Sequence, residues 1–125
     1  MHNDGLQITS YQAAFRILEP FKEWVEQHKG WQTILNFPDS TREKDIQRLL
    51  DLTGRNYCRD NNIDMPFEAN EGPGPVDLKL SRGNDKTVIE IKLSSNNQYL
   101  HGFEVQIEEY ARAENTNNRI YVYIE

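Results

Sequence analysis

The chain has 125 residues, enough for one compact domain. Hydrophobic residues make up 37% of it and charged residues 27%, a balance that suits a packed core and argues against long disorder. The formal net charge of −6 counts against nucleic-acid binding, because Lys and Arg usually supply that affinity. Charge does not exclude it, since basic residues concentrate between Arg42 and Arg59 and a bound metal neutralises acidic residues.

Two further classes of protein are excluded by what the sequence lacks. No segment is long and apolar enough to cross a bilayer, and the N-terminus shows no signal-peptide pattern, so we expect a cytoplasmic protein. Cys58 is the only cysteine, which rules out an internal disulfide and a multi-cysteine zinc site.

The first predicted element is a helix that begins at a capping box formed by Thr9 and Gln12. Apolar residues follow at helical spacing, and Pro20 is expected to kink or restart the helix because it has no backbone N–H. The apolar stripe continues to Gly30, a residue type that often ends helices. We assign residues 1–38 to this N-terminal helical segment and residues 39–125 to the core of a single domain.

A second capping-box pattern, Ser40-x-x-Glu43, predicts a second helix. In this interpretation the Ser40 hydroxyl caps the helix and the Glu43 side chain bonds back to the backbone of Ser40. The helix buries Ile46, Leu49 and Leu50 and is expected to end near Gly54.

Two segments with alternating apolar and polar residues, Val76–Leu80 and Thr87–Leu93, predict a β-hairpin. Gly83 and Asn84 between them suit a two-residue type II′ turn, which prefers glycine first. Counting outward from that turn places Asp77 directly opposite Glu90. Successive side chains on a strand alternate between faces, so the leucines and isoleucines share the core face of this hairpin.

The other face of the hairpin carries Asp77, Glu90 and Lys92. Directly opposed residues place their Cβ atoms about 5 Å apart, close enough for two carboxylates to share one cation. Mg²⁺ prefers oxygen ligands, and a neighbouring ammonium group can orient an attacking water or counter charge on a phosphate. The alternative is a solvated hairpin face of cross-strand ion pairs, which are common and contribute little stability.

After the hairpin, apolar residues at helical spacing predict an amphipathic helix over Leu100–Ala113. Arg119–Ile124 is rich in β-formers and predicts a final strand. With a short strand near Phe67–Ala69, the expected order is α-α-β-β-β-α-β. The predicted fold class is α/β, a mixed central sheet flanked by the helix that begins at Ser40 and by the helix over Leu100–Ala113.

The segments Pro75-Val76-Asp77 and Ile89-Glu90-Ile91-Lys92 resemble the Asp…Glu-x-Lys signature of the PD-(D/E)XK nucleases, which share the restriction-endonuclease-like fold. The resemblance covers roughly Ser40 to Glu125. It implies a Mg²⁺-dependent endonuclease, with Mn²⁺ able to substitute, that hydrolyses phosphodiester bonds of nucleic acid. DNA is expected ahead of RNA, and either a homodimer or a fusion to a larger sensor or motor protein is compatible with it.

The resemblance also assigns roles to residues. It makes Asp77 and Glu90 the metal ligands and Lys92 the catalytic cation, and it adds Glu43 and Gln106 as further catalytic residues. Two simpler interpretations remain open, because Glu43 also fits a helix cap and Gln106 fits a polar position on a helix surface. A catalytically inactive binding module of the same fold, for nucleic acid or a protein partner, and a small structural subunit are the alternative functions.

Overall fold

The structure is a computed structural model that describes residues 7–66, 76–93, 105–111 and 117–124. Three helices and four strands lie within these ranges. They are α1 (Ser10–Gln27), α2 (Gly30–Asn36), α3 (Arg42–Asp60), β1 (Val76–Arg82), β2 (Asp85–Leu93), β3 (Val105–Ala111) and β4 (Asn117–Ile124). The short strand expected near Phe67–Ala69 lies outside the described residues.

The four strands form one mixed sheet in the order β1-β2-β4-β3. β1 pairs antiparallel with β2, β2 pairs parallel with β4, and β3 pairs antiparallel with β4. The prediction of an α/β class with a mixed sheet is therefore confirmed, as is the final strand, which forms part of β4. Helix α1 packs against β1, β2 and β3, and α3 packs against β1 and β2.

One hydrophobic core joins these helices to one face of the sheet. Alternate strand residues enter that core, while the residues between them are partly or largely exposed. The buried strand positions are Leu78, Leu80, Thr87, Ile89, Ile91, Val105, Ile120, Val122 and Ile124. We call the opposite face of the sheet the outer face. It is formed by the strand positions that alternate with the buried ones, and these include Asp77, Glu90, Gln106 and Arg119.

The first capping box is confirmed. The Gln12 backbone N–H donates to Thr9 Oγ1, and the Thr9 N–H donates to Gln12 Oε1, each at 3.0 Å. Helix α1 continues through Pro20 without restarting and ends before the position expected for it. Gly30 instead opens α2, and the Trp24 ring lies so close to it that a Cβ there would be 2.4 Å from a ring atom.

The second capping box is absent, so that prediction is wrong. Ser40 lies in a short 3₁₀ turn ahead of α3, and the residue before α3, Thr41, makes no side-chain cap. The Glu43 carboxylate is directed elsewhere, to the backbone of β2. Helix α3 also runs past Gly54, where the Ile17 side chain approaches so closely that a Cβ would lie 2.9 Å from Ile17 Cδ1. Gly54 therefore allows α1 to approach α3 closely and does not end α3.

The helix predicted over Leu100–Ala113 is also wrong, since Val105–Ala111 is strand β3. The sequence from Val105 to Glu108 also alternates, and Val105 is buried whereas Gln106 and Glu108 are exposed. Pairing with β4 decided between the two periodicities, a choice that local spacing cannot make. Consequently no described helix lies on the outer face, and the expected helix-flanked sheet is covered on one face only within the described residues.

Helix α1 also holds the start of this edge strand. Lys22 Nζ donates to the Val105 carbonyl at 2.6 Å, and the Val105 N–H donates to Glu26 Oε2 at 2.8 Å. Burial acts to raise the pKa of the Glu26 carboxyl, but the hydrogen bonds from Lys22 and Val105 outweigh it and the pKa is lowered. The two side chains replace a neighbouring strand at this point of the edge.

The predicted hairpin register is confirmed. Val76 pairs with Ile91, Asp77 with Glu90, and the turn is closed by Arg82 opposite Asp85. Gly83 has φ of 61°, and among the described residues only Lys29 and Asn62 are non-glycines with positive φ. Asn84 therefore has negative φ, which fits the type II′ turn.

We predict that Thr9→Ala and Ser40→Ala differ in their effect on stability. Thr9→Ala removes a formed cap and should lower the free energy of unfolding by roughly 0.5–2 kcal/mol. Ser40→Ala removes no cap and should change it by less than about 0.5 kcal/mol. Urea unfolding followed by circular dichroism measures both, and an equal loss in the two variants would contradict this assignment of the caps.

Candidate active site

Pairing across the sheet arranges the outer face in rows. The central row crosses all four strands through Asp77, Glu90, Tyr121 and Glu108. The next row, toward the C-terminal end of β2, contains Lys92, Tyr123 and Gln106. The row on the other side contains Lys79, Val88, Arg119 and Tyr110.

Asp77 and Glu90 occupy directly opposed positions in the central row, as the sequence predicted. Such pairs place their Cβ atoms about 4.5–5.5 Å apart. The structure describes Asp77 by its backbone, so its position in the register is what brings it to Glu90. Two carboxylate-bearing positions at this separation meet the first requirement of a shared cation site.

The Glu90 carboxylate is held by two cations. Its side chain is 13% exposed, with Oε1 at 3.2 Å from Arg119 Nη1 and Oε2 at 3.6 Å from Lys92 Nζ. Lys92 Nζ also lies 5.2 Å from the centre of the Tyr121 ring. The structure thus brings the predicted residues Glu90 and Lys92 into direct contact on the outer face.

Arg119 is the site residue that the sequence did not reveal. It stands beside Val88 because β4 pairs parallel with β2, and from there its guanidinium reaches across to Glu90. The one available signal is the alternation Arg119, Tyr121, Tyr123 against buried neighbours, which assigns these residues to one face of β4. It does not show which strand β4 joins.

Glu43 makes a backbone contact at the end of β2. Its Oε2 accepts a hydrogen bond from the Leu93 backbone N–H at 3.1 Å, at the last residue of β2. Leu93 packs against the core, so Glu43 holds the end of this strand from the helix side. This hydrogen bond gives the Glu43 carboxylate a structural role that needs no metal. The Glu26 carboxylate has the same kind of role, since it accepts a hydrogen bond from the Val105 N–H.

Gln106 lies on the outer face but not beside the carboxylate pair. It is exposed and pairs with Tyr123 of β4, which separates it from Lys92 of β2. Two strand spacings of about 4.8 Å put the backbones of Gln106 and Lys92 roughly 10 Å apart. Gln106 therefore lies two strands from Lys92 and away from the paired positions of Asp77 and Glu90.

Two kinds of site are absent from the described side chains, a cluster of three metal ligands and a reactive cysteine thiolate. No three His, Cys, Asp or Glu side chains among them lie close enough to bind one ion, a group that does not include the Asp77 side chain. Burial raises the pKa of the Cys58 thiol to about 11, so this cysteine is protonated at neutral pH and is not a thiolate nucleophile.

A cavity of about 520 Å³ lies between the end of α3 and the hairpin turn, and Arg55, Arg59 and Arg82 are among the residues that line it. Their guanidinium groups are already engaged within the protein. Arg82 donates to the carbonyls of residues at the end of α3 and to Ile8, and Arg55 pairs with Asp51. These arginines therefore support the fold.

None of the described helices is long and apolar enough to span a membrane.

Comparison with known proteins identifies a family whose description assigns no function. The model of a family described as "Domain of unknown function (DUF8371)" matches residues 10–125. No curated protein and no solved structure matches the chain. The family match spans every described element from α1 to β4, so it bears on the whole fold.

We predict that Glu43 stabilises the protein through its bond to Leu93. Glu43→Ala leaves that N–H without its charged acceptor and should lower the free energy of unfolding by roughly 1.5–3 kcal/mol. Glu43→Gln keeps an acceptor oxygen and should retain most of this stability. Urea unfolding and hydrogen exchange at the Leu93 amide measure the effect, with Glu19→Ala on the exposed side of α1 as the control. A Glu43→Gln variant of normal stability that loses nuclease activity would return Glu43 to the metal site.

Proposed function

The chain belongs to the DUF8371 family, and we propose that it is a metal-dependent nuclease of the PD-(D/E)XK type, with DNA as its expected substrate. The observation that carries the proposal is the opposed placement of Asp77 and Glu90 with Lys92 on the same face. Three groups that phosphodiester hydrolysis requires, two metal-ligand positions and a cation, meet on adjacent strands. The proposal includes the assignment of the mixed sheet as the core of a restriction-endonuclease-like fold.

The donor chemistry of the site fits Mg²⁺ or Mn²⁺. Asp77 and Glu90 would hold the ion through carboxylate oxygens, the ligand type that hard divalent cations prefer. When bound, the ion supplies Lewis-acid polarisation of the scissile phosphodiester. Glu90 already attracts cations, since both of its oxygens face a positively charged side chain. Binding of the ion requires Glu90 to exchange at least part of that contact.

Lys92 and Arg119 have separate parts in the reaction. With Glu90 as a metal ligand, the Lys92 ammonium would be available to hold the attacking water or to counter charge that builds on the phosphate. Its contact with the Tyr121 ring keeps it on the outer face during this exchange. Water attacks phosphorus, the bond to the leaving oxygen breaks, and the proton of the water passes to solvent or to that oxygen. Arg119 stands within reach of the same phosphate as a second positive charge.

A specific observation favours the second candidate, a binding module that does not cut. The contacts of Glu90 with Arg119 and Lys92 form an ion-pair network that is complete without a metal. Such ion pairs are common on exposed sheet faces and require no catalytic role for Glu90. The two functions differ in one property, because only the nuclease needs divalent cations.

We predict a division of labour among the site residues. Asp77→Asn and Glu90→Gln should lose Mn²⁺ binding and cleavage together, because each removes a charged ligand. Lys92→Ala should keep Mn²⁺ binding while cleavage falls about 100- to 1000-fold, since its charge acts on the transition state. Calorimetric Mn²⁺ titration and cleavage of plasmid and single-stranded DNA measure the two properties in the same variants.

Glu108→Gln is the matched control. Glu108 shares the central row but stands on β3, with Tyr121 between it and Glu90, so its replacement should leave Mn²⁺ binding unchanged. If the wild type binds no divalent cation at millimolar concentration and cuts no nucleic acid, the nuclease proposal fails. The binding module then takes its place.

A further inference from the structure

We propose that the outer face binds single-stranded nucleic acid by stacking bases on Tyr121 and Tyr123. The inference names the substrate class of the proposed nuclease, and to that extent it rests on the proposed function. Binding itself requires neither metal nor cleavage, so it is measured independently of them.

The two tyrosines form an aromatic pair in the middle of the sheet. β4 lies between β2 and β3, and its residues on either side of each tyrosine are buried in the core. The ring centres of Tyr121 and Tyr123 are 6.1 Å apart with 23° between the ring planes, and both side chains are partly exposed. Near-parallel rings on a sheet offer π faces to bases, and such stacking tolerates any sequence.

Two cationic side chains lie close to this pair, although the direct cross-strand neighbours of Tyr121 are Glu90 and Glu108. Lys92 Nζ lies 5.2 Å from the Tyr121 ring centre, and Arg119, whose side chain is 47% exposed, stands two residues before Tyr121 on β4. Lys79 and Lys86 are exposed on the same face. The charged positions of the outer face are Lys79, Lys86, Lys92 and Arg119 against Asp77, Glu90 and Glu108.

This local balance is the reverse of the chain as a whole. The outer face has four cationic positions against three acidic ones, whereas the full chain has 14 Lys and Arg against 20 Asp and Glu. Cations beside aromatic rings match the two parts of a nucleotide, because phosphates take the charge and bases take the rings. The face is therefore complementary to a polyanion that carries exposed planar groups.

Single strands fit this surface better than duplexes do. In a duplex the faces of the bases are stacked on one another, and only the phosphates remain for this surface to contact. A single strand offers both its phosphates and its base faces. The rows of the sheet continue this surface to Gln106, which lies beside Tyr123 and can hydrogen-bond a base edge.

The test is fluorescence anisotropy in EDTA, with the whole chain and a fluorescein-labelled single-stranded oligonucleotide. We expect the single strand to bind more tightly than the duplex of the same sequence. Tyr121→Ala and Tyr123→Ala should each weaken binding about tenfold, while Tyr121→Phe and Tyr123→Phe should retain it because the ring faces remain. Thermal unfolding of each variant shows that the fold is kept.

Matched charge changes locate the surface. Arg119→Ala should weaken binding, whereas Arg16→Ala, which removes the same charge from the exposed side of α1, should leave it unchanged. Equal or tighter binding of the duplex, unchanged binding in both alanine variants of the tyrosines, or a loss on Arg59→Ala in place of Arg119→Ala overturns the inference. Tyrosine-dependent binding in EDTA without any cleavage in Mn²⁺ supports this inference and rejects the nuclease. Cleavage that is independent of both tyrosines does the opposite.

Discussion

A two-residue turn at Gly83 and Asn84 sets which side chains of β1 and β2 face the helices and which face outward. A slip of one residue would move every side chain to the other face and separate the carboxylate positions. Both ends of the turn are tied to helices. Asp85 accepts from the Ser10 backbone N–H at 2.8 Å and from its hydroxyl at 2.6 Å, and Arg82 binds carbonyls at the end of α3. The whole candidate site depends on this held register.

Two features that the sequence predicted correctly in detail are decided by near neighbours. The Thr9 cap and the hairpin register each depend on residues a few positions apart, so counting was sufficient. The features it predicted wrongly are decided by distant partners. Glu43 bonds to Leu93, fifty positions away, and β3 forms because β4 pairs with it and α1 binds Val105. The spacing of apolar residues within one segment does not indicate contacts with residues far along the chain.

The same distinction holds within the candidate site. Asp77, Glu90 and Lys92 belong to one hairpin, and sequence alone grouped them correctly on one face. Arg119 and Tyr121 reach that group only through the parallel pairing of β4 with β2. Arg119 gives the Glu90 carboxylate a second cationic partner beside Lys92. A metal ion at this position would have to compete with the contacts that Glu90 makes with Arg119 and Lys92.

The most direct measurement is where a divalent cation binds. Mn²⁺ added to ¹⁵N-labelled protein broadens amide signals near its site, and the account predicts that the signals of Asp77 and Glu90 broaden first. Asp77→Asn and Glu90→Gln should each abolish this broadening. Broadening centred elsewhere, for example at Asp64 beside the arginine-lined cavity, or no broadening at millimolar Mn²⁺, would contradict the account.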